Sequence, residues 1–289
     1  MPAATLLASL VDYAGLFPPA GLSMAEAVAT YAAERAGADS WMLGRFVCPT
    51  ARLEEFAAAA AAHWTAADGP WRASALVTRP EVDVPRLRAF NAAHAGQAMV
   101  DVVEAKAMTV EEIDQLAGAL GDFEAYVEVP LDPDPAQLLE ACARLGLRAK
   151  ARLGGVVPDA FPRPELVARF LIRCHEAGVA FKATAGLHHA VRGAHPITYD
   201  AGAPRVTMHG FLNLLFATQV VAMGGDAADA CAALEERDAT AFVRETDSIR
   251  WRAHVATVAQ LVALRQAMTA IGSCSFREPV QELEAMGIA

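Results

Sequence analysis

The feature that most constrains this chain is a regular alternation of short apolar runs with helix-forming stretches, sustained from residue 10 to about residue 190. The strand-like runs are Leu10–Ala14, Ser40–Leu43 with Phe46–Cys48, Ser74–Thr78, Met99–Glu104, Ala125–Val129, Leu147–Leu153 and Val179–Thr184. Helical patterns fall between them, near Ala51–Ala62, Val84–Ala93, Thr109–Leu120, Pro135–Leu145 and Pro164–Ala177. An earlier helix is expected over Ser23–Ala36, with Ser23 as N-cap and Glu26 three residues on, a capping box. Strands alternating with helices of about 10–15 residues imply βαβ units and a parallel sheet.

Seven such strands without a change in composition favour a closed (β/α)8 TIM barrel, an α/β fold, over a doubly wound sheet. The pairs Gly154-Gly155 and Gly224-Gly225 do not form G-x-G-x-x-G, and no phosphate-loop G-K-[ST] is present. A chain of 289 residues fits one such domain, expected over 1–289. The eighth strand is placed at Ala270–Phe276, after a helical elaboration spanning about 205–268.

A hydrophobic fraction of 54% supplies a sizeable core, and a net charge of −10 argues against a nucleic-acid partner. Cys48, Cys142, Cys174, Cys231 and Cys274 are scattered and odd in number, as expected of reduced thiols in a cytoplasmic protein. No basic leader and no apolar run of about 18 residues appears, so neither a signal peptide nor a membrane span is expected; Phe211–Gly224 is too short. The C-terminal helices could pack on the barrel or on a second copy, which leaves a homo-oligomer open.

Catalytic groups of such barrels project from the C-terminal ends of the strands. That rule selects Asp12, Tyr13, Arg45, Thr78, Arg79, Asp101, Glu104, Lys106, Glu128, Lys150, Arg152, Lys182 and Thr184, followed by His188 and His189. Residues i and i+2 of a strand share a face, so Lys150 and Arg152 point together, as do Lys182 and Thr184. A lysine inside an apolar strand must be paired or lose its proton. With a depressed pKa it becomes a nucleophile able to form a Schiff base with a small carbonyl substrate. Asp101 and Glu128 are the expected proton carriers, and Asp101 and Glu104 face opposite ways unless the strand bulges or ends between them. Arg152, Thr184, His188, His189, Arg45 and Ser273 are the expected substrate contacts. Gly272–Ser275 offers hydroxyls and backbone N–H groups suited to an anion. No cofactor and no metal is expected. The alternatives are Mg²⁺ or Mn²⁺ chemistry through Glu104, Glu128 and His188 or His189, and a non-catalytic small-molecule-binding barrel.

Several of these segments together resemble the deoxyribose-phosphate aldolase group of class I aldolases. Val11-Asp12-Tyr13-Ala14-Gly15-Leu16-Phe17-Pro18 is similar to that group's opening I-D-H-T-x-L-x-P strand. Val47-Cys48-Pro49 is similar to its V-C-x-x-P stretch, and Val100-Asp101-Val102-Val103 to its E-V-D-x-V strand. Lys182-Ala183-Thr184-Ala185-Gly186 resembles both its K-T-S-T-G and its K-A-x-G-G-[IV]-R motifs, and Ile271-Gly272-Ser273 its phosphate-binding G-[AT]-S. The resemblance implies a barrel lyase with a Schiff-base lysine. Strand order makes that lysine Lys150, with Lys182 tuning it, whereas local sequence favours Lys182. It also implies a proton-transferring role for Asp101. The chain departs from the group in the residues after Lys150, in having His188 where an arginine is expected, and in the roughly 80 residues between Gly186 and the last strand.

Overall fold

The computed structural model describes residues 2–65, 69–121 and 123–289. Eight parallel strands close into a barrel: β1 (Val11–Tyr13), β2 (Leu43–Pro49), β3 (Trp71–Leu76), β4 (Ala98–Lys106), β5 (Glu124–Glu128), β6 (Arg148–Arg152), β7 (Phe181–Thr184) and a last strand, Met268–Ser273. The last strand pairs with both β1 and β7, closing the ring. The fold is therefore the expected (β/α)8 barrel. The last strand begins two residues earlier than the sequence suggests, and Ser40–Met42 forms a 3-10 turn rather than the start of β2.

Local chemistry accounts for the helices between the strands. After α1 (Pro2–Leu7), helix α2 (Met24–Ala36) begins at the expected capping box, in which the Ser23 and Glu26 side chains satisfy each other's backbone N–H groups. The next helices are α3 (Leu53–Ala60), α4 (Pro80–Ala93), α5 (Val110–Leu120), α6 (Ala136–Arg144) and α7 (Pro164–Ala177). Thr109 caps α5 through the Glu112 N–H, and Gly178 ends α7 in the left-handed conformation that glycine adopts without strain. The outward strand residues Tyr13, Phe46 and Trp71 pack against Tyr31 of α2 and, for Phe46 and Trp71, Phe56 of α3, with ring centroids 4.8–6.2 Å apart.

The stretch from 205 to 268 is not simply helical. It opens with the second strand of a two-stranded ribbon, β8 (Gly193–Pro196) and β9 (Arg205–Met208). Two helices follow, α8 (Phe211–Ala222) and α9 (Ala227–Glu235), then an antiparallel sheet of β10 (Phe242–Arg244), β11 (Ser248–Trp251) and β12 (His254–Thr257). Helix α10 (Val258–Ala267) leads into the closing strand, β13, and α11 (Arg277–Ala285) ends the fold. These short strands alternate too few residues for the sequence pattern to separate them from helix. Helix α8 is apolar on all sides because all sides are buried, with Phe211 through Val221 inside the protein. No helix among the described residues is long and apolar enough to cross a membrane, and all five cysteines are free thiols.

Candidate active site

The barrel interior carries charge at two levels. At the N-terminal ends of the strands, Arg45 donates to both oxygens of Asp101 at 2.8 and 2.9 Å, and Arg72 donates to the same carboxylate. Burial alone would raise the Asp101 pKa, but the two guanidiniums outweigh it and hold the carboxyl below its ordinary range. Asp101 and Arg45 thus form a structural ion-pair cluster away from the strand ends where the cavity lies. This corrects the expected roles of Asp101 in proton transfer and of Arg45 in substrate contact. A bulge explains the placement: β4 pairs Val100 with Ala73 but Val102 with Ser74, so Asp101 is skipped in the ladder. The skip also changes the phase of the strand, which brings Glu104 into the interior.

The second level is built around Glu104, a residue the sequence reading left facing either way. Its Oε1 accepts from Lys182 Nζ at 2.8 Å and from Ser74 Oγ at 2.6 Å, while its Oε2 accepts from Lys150 Nζ at 2.8 Å. Lys150 also reaches Glu128 Oε2 at 2.9 Å, and Lys182 reaches Asp12 Oδ2 at 2.5 Å. The Asp12 carboxylate is oriented by the Arg45 backbone N–H at 2.8 Å, a bond between neighbouring strands. Lys182 Nζ further lies 5.5 Å from the centre of the Tyr126 ring, a favourable face for an ammonium.

These contacts reverse the expected depression of the lysine pKa values. Burial disfavours both ammoniums, but Asp12 and Glu104 around Lys182, and Glu104 and Glu128 around Lys150, overcome it and raise both pKa values. For Glu104 burial likewise acts upward, and the two ammoniums outweigh it and hold the carboxyl well below the ordinary carboxylate range. Lys150, Lys182 and Glu104 are therefore held in their charged forms at neutral pH. The cluster survives burial because every charge is paired and hydrogen-bonded.

Above this cluster, at the C-terminal strand ends, lies a cavity of about 260 Å³. Lys150, Glu104, Glu128, Arg152, Thr184 and His188 all line it, and Lys182 does not. The two lysines differ accordingly in exposure: the Lys182 side chain is 1% accessible and the Lys150 side chain 9%. The wall between β6 and β7 depends on two glycines. A Cβ on Gly154 would fall 2.8 Å from the Gly186 Cα and 2.7 Å from the Phe161 ring, and Gly186 itself has a φ of +68°. Ala185 beside it has a φ of 62°, so the turn that shapes the cavity wall is strained at a non-glycine residue.

The remaining expected contacts divide. His188 stands on the cavity wall, its Nδ1 3.1 Å from Ser273 Oγ and 3.6 Å from Cys274 Sγ. Burial, helped by the neighbouring His189 and His195, pushes the His188 imidazole down to about 4, so it is neutral at physiological pH. Ser273 is buried and reaches the site only through His188. His189 is not on the wall: its Nδ1 lies 2.6 Å from Glu282 Oε1, and its ring stacks on His195 at 3.4 Å. Cys274 lines the cavity, but burial raises its thiol to about 11, which keeps it protonated. The proximity of His188 and Cys274 is set by tertiary structure and has no signal in their separation of 86 residues.

The donor set bears on the metal alternative. Both Glu104 oxygens and Oε2 of Glu128 are engaged by ammoniums, and His188 and His189 have other partners. No group of three or more His, Cys, Asp or Glu side chains suited to a metal ion occurs among the described residues.

No family model matches the chain, and no curated protein matches it. Among solved structures it is similar to a lysine/ornithine decarboxylase complexed with cadaverine from Vibrio vulnificus, with 13% sequence identity and a TM-score of 0.37. That likeness covers 63% of this chain and 48% of the other, so the chain matches about half the length of that structure.

Proposed function

We propose that this barrel is a lyase of the aldolase type, acting on a small carbonyl compound through a Schiff base on Lys150, with Lys182 as a positioning residue. The observation that carries this reading is the placement of Lys150: it is the one lysine among the described residues lining the cavity, held between two carboxylates. Lys182 sits one strand away, in register with it, sealed beneath the cavity floor.

Glu104 and Glu128 hold Lys150 as an ammonium, so imine formation begins with the return of one proton to the carboxylate beside it. The Lys150 ammonium gives one proton to Glu128, 2.9 Å away, and the neutral amine adds to the substrate carbonyl carbon. The carbinolamine then loses its hydroxyl as water, which takes the proton back from Glu128 and leaves an iminium ion. Glu104 keeps its charge throughout, because the Lys182 ammonium stays bonded to it. The iminium thereby inherits a counter-ion already in place, a preorganised electrostatic stabilisation. Arg152, which lines the same cavity, takes a substrate carboxylate in this reading. The direct test is reductive trapping with borohydride, followed by peptide mass mapping, on the wild type and on Lys150→Met.

A further inference from the structure

The cavity has two unlike halves. Charged groups, Lys150, Glu104, Glu128 and Arg152, line one part of it, Thr184 and His188 add polar contacts, and most of the remainder is apolar. Phe17, Pro18, Phe161, Val47, Ile197 and Met208 form that half, with Ile197 and Met208 brought over the cavity by the β8–β9 ribbon and its flanking residues. Apolar walls of this kind bind by the area they remove from water and give nothing to a heavily hydroxylated chain.

The corner that could take a phosphate is closed to one. Ser273 Oγ is used by His188 at 3.1 Å and by the Ser275 N–H at 3.3 Å. A Cβ at Gly272 would lie 2.6 Å from Thr184 Oγ1, so no open cradle stands above that glycine. The first turn of α11 already holds an anion of its own, the Glu278 carboxylate. Glu278 accepts from Tyr199 Oη at 3.1 Å and lies 3.8 Å from His188 Nδ1. A phosphate dianion placed there would face a carboxylate and a neutral imidazole rather than cations. On the floor and beneath it, Lys150 and Lys182 are engaged by Asp12, Glu104 and Glu128, which leaves Arg152 as a single guanidinium, enough for one carboxylate and without a second cation beside it for a phosphate dianion.

We infer that the substrate is an unphosphorylated aldehyde or 2-oxo acid with an apolar body, a branched aliphatic or aromatic group lying against Phe161, Ile197 and Met208 while its carbonyl meets Lys150. This inference rests on the Schiff-base reading for its orientation, and the experiment separates the two. The intact protein is incubated with borohydride and either 4-methyl-2-oxopentanoate, phenylacetaldehyde or glyceraldehyde 3-phosphate, and adduct on Lys150 is quantified by peptide mass mapping. In parallel, the rise in melting temperature with each unreduced compound is measured for the wild type and for Ile197→Ala and Met208→Ala. The expected result is at least tenfold more Lys150 adduct with the apolar compounds than with the phosphorylated one, an advantage that shrinks in both variants. Equal or greater trapping of glyceraldehyde 3-phosphate on Lys150 would overturn the substrate class and leave the amine chemistry standing. A saturable thermal shift by the apolar compounds, weakened in both variants but with no adduct, would support the substrate class and overturn the amine. Neither adduct nor shift with the apolar compounds would overturn both.

Discussion

Lys150 and Lys182 lie directly across from each other on β6 and β7 and share a single carboxylate, Glu104, each at 2.8 Å. Two ammoniums this close would repel strongly in a medium of low polarity, and the shared carboxylate with Asp12 and Glu128 turns that repulsion into a paired cluster. The lysines are alike in chemistry and unlike in access, and the expected behaviour of the molecule follows from that difference.

Replacing Lys182 by methionine leaves Asp12 and Glu104 buried and short of a partner. Removing one side of a buried ion pair costs about 3–5 kcal/mol, so Lys182→Met is expected to lower stability by that order in urea unfolding. Lys150→Met, at the cavity wall beside the partly accessible Glu128, is expected to cost distinctly less. Equal costs for the two would show that the sealed and the cavity-facing positions are energetically equivalent.

Acid lability has a defined sign. His188, His195 and His209 are each pushed from 6.5 to about 4, with burial the first cause in each case. Between those values the unfolded chain binds more protons than the folded one, so stability rises with pH across that window. Glu104, lowered from 4.5, adds a contribution that is fully present above 4.5 and is lost as pH falls further. Stability measured from pH 4 to 7 should therefore climb, and His188→Asn should flatten the climb by close to one proton. An unchanged slope in that variant would contradict the buried neutral imidazole.

The cavity wall between β6 and β7 has no room for an added methyl group. Gly154→Ala would place its Cβ against the Gly186 backbone and the Phe161 ring. The expected outcome is a loss of ligand-induced thermal shift together with a fall in stability of about 1–3 kcal/mol, as for other overpacked sites. Gly146→Ala, where a Cβ meets nothing but φ is +69°, should lower stability through backbone strain alone and leave ligand binding intact.

Much of the fold was legible because local patterns and global architecture agree. The first seven barrel strands and the helices between them show clear periodicity, and α2 and α5 carry their caps in the sequence. The segment after β7 was not legible in the same way, because β8 to β12 are three or four residues long and set by tertiary pairing. The strand-end rule points to Lys150, Lys182 and Glu128, and Lys150, Glu104 and Glu128 line one cavity. Asp101 was misplaced and Glu104 left undecided for one reason, the bulge in β4, which strict alternation of side chains cannot reveal. Asp12 was noted as a strand-end residue, but its bond to Lys182 spans 170 positions and depends on the closure of the barrel.

The central claim is that Lys150, and not Lys182, is the amine that meets substrate. The most direct measurement is borohydride trapping with an apolar aldehyde on wild type, Lys150→Met and Lys182→Met, with the modified residue located by peptide mass mapping. The expected result is a single adduct on Lys150, absent from Lys150→Met, and formed more slowly but still on Lys150 in whatever fraction of Lys182→Met remains folded. An adduct on Lys182, or undiminished trapping in Lys150→Met, would contradict it.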